Sequence, residues 1–571
     1  MRFHHAATPA AIPLHYKGTD QAPPARPAVV ATPTPALEAS FPTLVLAFCD
    51  RHRHVLLAAV AALYLLAFNG QWRVEPDSAL YLTIGRNLAQ GRGYTYHGIP
   101  NDLAFPGFPV FLAGMFKVFG RHAVFAAQIA LLLMAMATLG LTYRLMWLFV
   151  GRPTAVLVTA MVGLTHALYK YTVELRNDLP FLMGIMAVLA GYEAVFHRRP
   201  AGEENGAAAA TSQGSARWYD WALLGLGLAV AVVTRPTMQA FVPIVLFATV
   251  WGIARGTIRR RPAVISLLVV LLAGAAFVLL DPRTSANGRF GGYEEFVLSR
   301  VTHFRETLTL IFRDNLRKLF EPTMAESVFG HELGPGVNTV AGLVLLGFTF
   351  VFVLRRRPLW GLWVVATIGT VLLVFPLDRY FLPVLPILAL AWWQGIVWVH
   401  RRLARLSWSA RLSTASPAAV ANVIAALLLA TWVGPNLVKM TQVVLEQRRV
   451  PFLKHYKVGR YAPVKELADG VNRLVEPHAA VLVQHKLGRI LTYLSDRDVM
   501  EPRELTEQFK PGQGLYVILP CDDDPEEAQR IADMRLRLGP AIATVPRPHN
   551  KFPWTLHAAT PAPPEAPASS P

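Results

Sequence analysis

The chain has 571 residues, of which 53% are hydrophobic and only 16% charged, with 55 lysines and arginines against 37 acids. A soluble globular chain carries about 25% charged residues, whereas here charge-free runs such as Ala123–Thr142 and Ala263–Leu280 approach the roughly 20 residues a helix needs to cross a bilayer. The basic residues cluster between such runs and not on one soluble face, which excludes nucleic acid as their target. Cys49 and Cys521 stand at opposite ends of the chain, so neither a disulfide framework nor a cysteine metal site is expected.

Residues 1–50 are rich in Ala and Pro, lack a helical period and a secretory pattern, and read as a disordered cytoplasmic tail. Arg51 and Arg53 then precede a first span, Val55–Gln71. Further spans are predicted at His122–Leu141, Thr154–Tyr169, Pro180–Phe196, Trp218–Val233, Thr237–Ile253 and Ala263–Leu280. After a long mixed-charge outer loop, Asp281–Glu332, come Val337–Leu354, Leu359–Phe375, Phe381–His400 and Pro417–Val433. Threading these eleven helices puts every dense arginine cluster, such as 259–261, 355–357 and 401–402, on one side, where the positive-inside rule places the cytoplasm. The N-terminus is then inside. The apolar stretch Phe105–Phe119 is short and holds Pro106, Pro109 and Lys117, so it is read as a helix in the outer interface. The transmembrane part is assigned to 51–440.

From 451 to 556 the composition becomes that of a soluble domain, predicted small, α/β and extracytoplasmic. Val481–Val483 and Leu515–Leu519 read as strands, and Leu487–Leu494 and Pro525–Leu538 as helices, the latter opening on acids and closing on bases as the helix dipole favours. Residues 557–571 read as a second disordered tail.

The stretch after the first span carries the most chemistry. Leu80, Ile84 and Leu88 make one apolar stripe at helical spacing, and Gly91 and Gly93 end the helix. This predicts an amphipathic helix on the outer leaflet, with Asp77 at its start as either a helix N-cap or a functional carboxylate. Glu75 is its acidic neighbour. Asp178, Arg235 and Arg379 stand at other outer span ends, where a solvated boundary residue is the plain alternative, and Tyr81 and Tyr380 fit interface aromatics.

These residues also form a pattern. Asp77 with Tyr81, then Leu88-Ala-Gln-Gly91, Gly93-Tyr94 and Pro106-Gly-Phe-Pro109 resemble the first extracytoplasmic loop of GT-C-fold transferases. These are the glycosyltransferase family 39 protein mannosyltransferases, which use dolichyl-phosphate-mannose, and the lipid A aminoarabinose transferases. Asn177-Asp-Leu-Pro180, Thr234-Arg-Pro236 and Asp378-Arg-Tyr-Phe-Leu-Pro383 agree in order and side, so the resemblance covers Val55–His400.

The resemblance implies a GT-C-type bundle that moves a sugar, with inversion, from a polyprenyl-phosphate carrier to an extracytoplasmic protein, lipid or glycan. It implies Asp77 as catalytic base or acceptor-positioning group and Asp178 as ligand to a divalent metal ion or acceptor contact. Arg235, Arg379 and Tyr380 are the candidates for binding the donor phosphate, and Glu75, Tyr81, Asn101 and Asp102 those for binding substrate. One departure stands out. The aminoarabinose transferases carry Glu-Lys-Pro where this chain has Ala104-Phe105-Pro106, so a cation near the donor phosphate is missing; Asn101, Asp102 and Lys117 are the nearby replacements. The other classes compatible with the sequence are an oligosaccharide ligase or polymerase using a diphosphate-linked donor, and a transporter or flippase. Acids at span ends and the absence of a repeat weigh against transport.

Overall fold

A computed structural model describes residues 40–561 apart from 71, 97–98, 102–103, 197–216, 256–263, 266, 273, 276–297, 331–333, 374–376, 406–415, 450–463, 484, 496, 501–512, 520–528, 530–533, 535 and 547–552. The described chain is mainly helical. Five helical stretches are long and apolar enough to cross a membrane, and five shorter apolar helices of 10–17 residues accompany them. Large apolar side chains such as Leu133, Leu226 and Phe247 are exposed, as lipid-facing surfaces require. The chain is a multi-pass membrane protein.

In chain order the first helices are α1 (Phe41–Arg51), α2 (Arg53–Ala67) and α3 (Pro76–Ala89). A two-stranded hairpin follows, β1 (Thr95–Tyr96) with β2 (Ile99–Pro100), and then α4 (Gly107–Phe119), α5 (Ala123–Val150), α6 (Arg152–Leu164), α7 (His166–Val173), α8 (Asp178–Phe196), α9 (Trp218–Thr234) and α10 (Met238–Ala254). Helix α1 corrects the first boundary read from sequence: Phe41 lies inside the segment assigned to a tail. Pro42 opens this helix, and the Phe41 amide donates to Asn422 Oδ1 at 2.8 Å, tying it to the bundle.

The predicted span Thr154–Tyr169 is two helices, because Thr165 breaks the run with extended backbone (φ −65°, ψ 119°). Residues 304–329 of the predicted outer loop are helical throughout, with two π-helical stretches. Next come α11 (Pro335–Thr349), α12 (Pro358–Leu373), the 3-10 turn Asp378–Val384, α13 (Leu385–Leu403) and α14 (Pro417–Arg449).

Small residues set the closest helix contact. A Cβ on Gly184 of α8 would stand 2.9 Å from the Gly227 carbonyl oxygen of α9. One on Gly191 would stand 2.8 Å from the Asp220 carbonyl oxygen. The two backbones touch along their length, the packing small residues permit in a membrane. This close pairing brings the start of α8 and the end of α9 side by side, where Asn177 Nδ2 donates to the Thr234 carbonyl at 2.8 Å.

The C-terminal region folds as a five-stranded sheet in the order β4-β3-β5-β7-β6. Strands β3 (Ala480–Leu482), β4 (Asp498–Met500) and β5 (Leu515–Leu519) are parallel, while β7 (Trp554–Pro561) runs antiparallel between β5 and β6 (Leu536–Val545). Helices α15 (Val464–Leu474) and α16 (His485–Leu494) accompany it. Two sequence expectations change here. Residues 536–538 are strand and not the end of a helix, and most of the remaining predicted helix, Pro525–Leu538, lies outside the described residues. The predicted tail from 557 begins as the end of β7, because Ala558 and Ala559 pair with Tyr516 and Leu515.

Candidate functional site

Helix α3 carries the site. Pro76 occupies its first turn, where a missing N–H costs nothing, and Glu75 holds the cap position in extended conformation (φ −148°, ψ 136°). Ser78 Oγ donates to the Glu75 carbonyl at 2.7 Å and accepts from Trp72 Nε1 at 2.9 Å, which fixes this turn. Asp77 is therefore not the N-cap. It sits in the first turn, where the helix dipole favours a carboxylate, and its side chain turns to a set of arginines.

The apolar stripe of α3 does not face lipid. Gly85 meets α4 so closely that a Cβ would stand 2.8 Å from Leu112 Cβ, and α16 packs on α3 as well. The apolar stripe faces protein: Leu80 and Ile84 form a small core with Tyr96 and Ala104 of the hairpin region.

Three arginines converge on Asp77. Arg176 Nη2 donates to Oδ2 at 2.7 Å, Arg379 Nη1 to the same oxygen at 2.8 Å, and Arg489 Nη1 to Oδ1 at 3.0 Å. They come from the α7–α8 connection, the Asp378–Val384 turn and α16. Arg176 also faces Glu75 at 3.4 Å and Glu174 at 3.0 Å, and Arg73 lies 3.9 Å from Glu174. Asp178, the first residue of α8, is buried with Arg235 Nη2 2.7 Å from its Oδ1. Five arginines thus face four carboxylates in one connected cluster.

The two acids on α3 respond oppositely to this setting. Burial disfavours an ionised Asp77, but Arg176, Arg379 and Arg489 outweigh it and hold the carboxyl well below the usual range. Burial pushes Glu75 up to about 7, against Arg176 and with Glu174 and Asp77 reinforcing the rise. Tyr81 is pushed up to about 12 by burial and by the Asp77 charge.

Beside Asp77 the charges continue into a small cavity. The Tyr380 ring lies between two guanidinium groups, Arg235 at 5.0 Å and Arg379 at 5.3 Å from its centroid. Arg235 and Tyr380 line the cavity with Thr237, Trp363, Thr367 and Thr370. The hydroxyls of Thr237 and Thr367 are buried there without a hydrogen-bond partner. Arg235 is the charged side chain that lines this cavity, and it also pairs with Asp178.

The fold thus gathers Glu75, Asp77, Tyr81, Asp178, Arg235, Arg379 and Tyr380, the residues singled out from sequence. Asn101 has a local role: its Oδ1 accepts from the Ala104 amide at 2.9 Å, closing the turn after β2. Asp102 lies outside the described residues, and Lys117 is exposed on α4. Two arginines escape the sequence reading. Arg176 directly precedes the Asn177-Asp178 pair, and that adjacency to a span end is the available signal. Arg489 has none, being 412 residues from Asp77.

The expected divalent metal finds a poor set of donors. Among the described residues no group of three His, Cys, Asp or Glu side chains is placed to hold an ion. Asp178 is charge-compensated by Arg235, and both oxygens of Asp77 accept from arginines. The residues present do not fit a metal.

No family model matches the chain, and no curated protein matches it in sequence. Solved structures do. ArnT from Cupriavidus metallidurans bound to undecaprenyl phosphate is 16% identical with a TM-score of 0.51, over 88% of this chain and 97% of that one. The same protein in its apo state gives 15% identity and a TM-score of 0.52, over 89% and 98%. The apo oligosaccharyltransferase of Archaeoglobus fulgidus gives 10% identity and a TM-score of 0.51, over 83% and 70%. At such identities the likeness is one of fold, and that fold is the GT-C fold.

Proposed function

We propose that this chain is a membrane glycosyltransferase that takes a sugar from a polyprenyl-phosphate carrier and gives it to an extracytoplasmic acceptor. The observation that carries the reading is the convergence of Arg176, Arg379 and Arg489 on the single carboxylate of Asp77. The shared fold supports it, since ArnT has been seen holding undecaprenyl phosphate.

In the reaction, the acceptor hydroxyl oxygen attacks the anomeric carbon of the donor sugar. The bond from that carbon to the phosphate oxygen breaks, and polyprenyl phosphate leaves with one more negative charge. Arg379 and Arg235 stabilise that growing charge, the task that pre-placed cations perform in a dry site. Asp77 takes the acceptor proton. While the arginines hold Asp77 and no donor competes for them, this carboxylate is a poor base. Donor phosphate competes for the same guanidinium groups, so the proton affinity of Asp77 rises when the donor is in place. Tyr81 and Glu75 line the acceptor side, and Glu75, raised to about 7 by burial, can take on from Asp77 the one proton the acceptor releases.

The eleven-crossing arrangement belongs to this reading, with the N-terminus inside and the sheet region outside. Arg489 of that region and Asp77 at one end of the bundle support it. So do Arg144 and Arg357, which pair with Asp220 and Glu193 at the opposite ends of α9 and α8. The test is transfer of radiolabel from a panel of polyprenyl-phosphate sugars by purified protein in detergent or vesicles. Turnover of one donor is expected. Silence with every monophosphate donor, with the protein folded, sinks the proposal.

A further inference from the structure

The C-terminal sheet region is not a bystander to the site. Its helix α16 is pinned to α3 from both sides of the helix pair. Arg86 of α3 donates to the carbonyls of Tyr493 at 3.2 Å and Thr492 at 3.4 Å, and its guanidinium lies 5.3 Å from the centre of the Tyr493 ring. Tyr493 in turn meets the Trp72 ring edge-on at 5.1 Å, and Trp72 is the residue that hydrogen-bonds Ser78 in the turn carrying Asp77. One network therefore fixes both Asp77 and the last turn of α16, and Arg489 projects from α16 between them.

Arg489 supplies what the rest of the site lacks. Arg176 and Arg379 both donate to Oδ2 of Asp77, whereas Arg489 donates to Oδ1. Its side chain keeps 14% of its surface exposed, more than Arg176 with 9% and Arg235 with 6%, which are committed to buried acids. The residue before Pro106 offers no cation, since it is Phe105 and is buried in the bundle. No lysine joins the described ion pairs of the cluster.

We propose that Arg489 binds the phosphate of the lipid carrier directly, on the face opposite Arg379, so that the C-terminal domain completes the donor site. This rests on the polyprenyl-phosphate reading above. A tetrahedral phosphate that displaces Asp77 then accepts from Arg379 on one side and Arg489 on the other, and guanidinium pairs well with such oxygens. Without its C-terminal domain docked, the donor site has a cation only on its inner wall. The membrane part and the sheet region then act as one binding unit.

The test measures, on the full chain in detergent, binding of undecaprenyl phosphate and of undecaprenol, which lacks the phosphate. The quantity read is the preference of the protein for the phosphorylated lipid. Arg489→Ala is expected to lower that preference by at least about ten-fold, as loss of a charge-assisted hydrogen bond to phosphate does. Arg489→Gln, which keeps a donor for Asp77 but no charge, is expected to show the same loss, and Arg489→Lys to keep most of the preference. Either neutral variant suffices if the other fails to fold. An undiminished preference in folded Arg489→Gln overturns the proposal, and if Arg379→Ala lowers it in parallel the polyprenyl-phosphate reading survives alone. A wild-type protein with no preference for the phosphate overturns both.

Discussion

The two ends of the helix bundle use the same residues to opposite purposes. At the end away from Asp77 the ion pairs are one-to-one: Glu193 of α8 faces Arg357 at 3.0 Å, and Asp220 of α9 pairs with Arg144 while also accepting from the Arg217 amide at the start of its own helix. At the end that holds Asp77, five arginines and four carboxylates form one connected group, drawn from five distant parts of the chain, with Asp77 still 28% exposed. A paired charge satisfied by its neighbour fastens helix ends. A cluster with more cations than acids, held open on one side, has capacity left for an incoming anion. That difference separates fastening from function.

The comparison yields graded expectations. Replacing Asp77 with Ala is expected to lower sugar transfer about a thousand-fold, the range lost with a catalytic base, in a single-turnover assay. Arg379→Ala is expected to cost about a hundred-fold in kcat/KM for the donor, in line with losing one pre-placed cation at a developing charge. At the end away from Asp77 the outcome reverses. Glu193→Gln leaves transfer per folded molecule unchanged but strips Arg357 of its partner, with a loss of about 2 kcal/mol in chemical unfolding. If Glu193→Gln abolished transfer in folded protein, the contrast between the two ends would be wrong.

Smaller effects sharpen the end that holds Asp77. Glu75 titrates near 7 in the folded protein against 4.5 in its ordinary state. The folded state therefore binds more protons than the unfolded one between those values, and stability falls as pH rises through that window. Thermal unfolding between pH 4.5 and 7 is expected to show this slope in wild type, and Glu75→Gln to lose it. Removing divalent ions with EDTA is expected to leave transfer unchanged, because arginines occupy the carboxylates a metal would need.

The part of this visible in the sequence is the part written locally. Apolar runs of the right length located α2, α5 and α8–α10, and acids or arginines at their ends marked Asp77, Asp178, Arg235 and Arg379. Helix α1 was missed because its apolar run is short and follows a Pro-rich stretch. The stripe on α3 was read as lipid-facing because a helix period shows that a face is buried, not what buries it. Strand β6 was misread because acids before and bases within 525–538 imitate a helix dipole pattern. In the fold, Gly539-Pro540 falls instead at an irregularity in β6, between Leu538 and Ala541. Arg489 could not be found at all: an arginine on an amphipathic helix in a soluble region looks solvated, and only the docking of α16 on α3 gives it a partner.

The central claim is that Asp77 occupies the arginines in place of donor phosphate and then serves as base. The most direct measurement is undecaprenyl phosphate affinity in Asp77→Asn, taken beside its rate of sugar transfer. The account predicts binding at least as tight as wild type, because the competing charge is gone, together with collapsed transfer. Weakened lipid-phosphate binding, or transfer that survives the substitution, would contradict it.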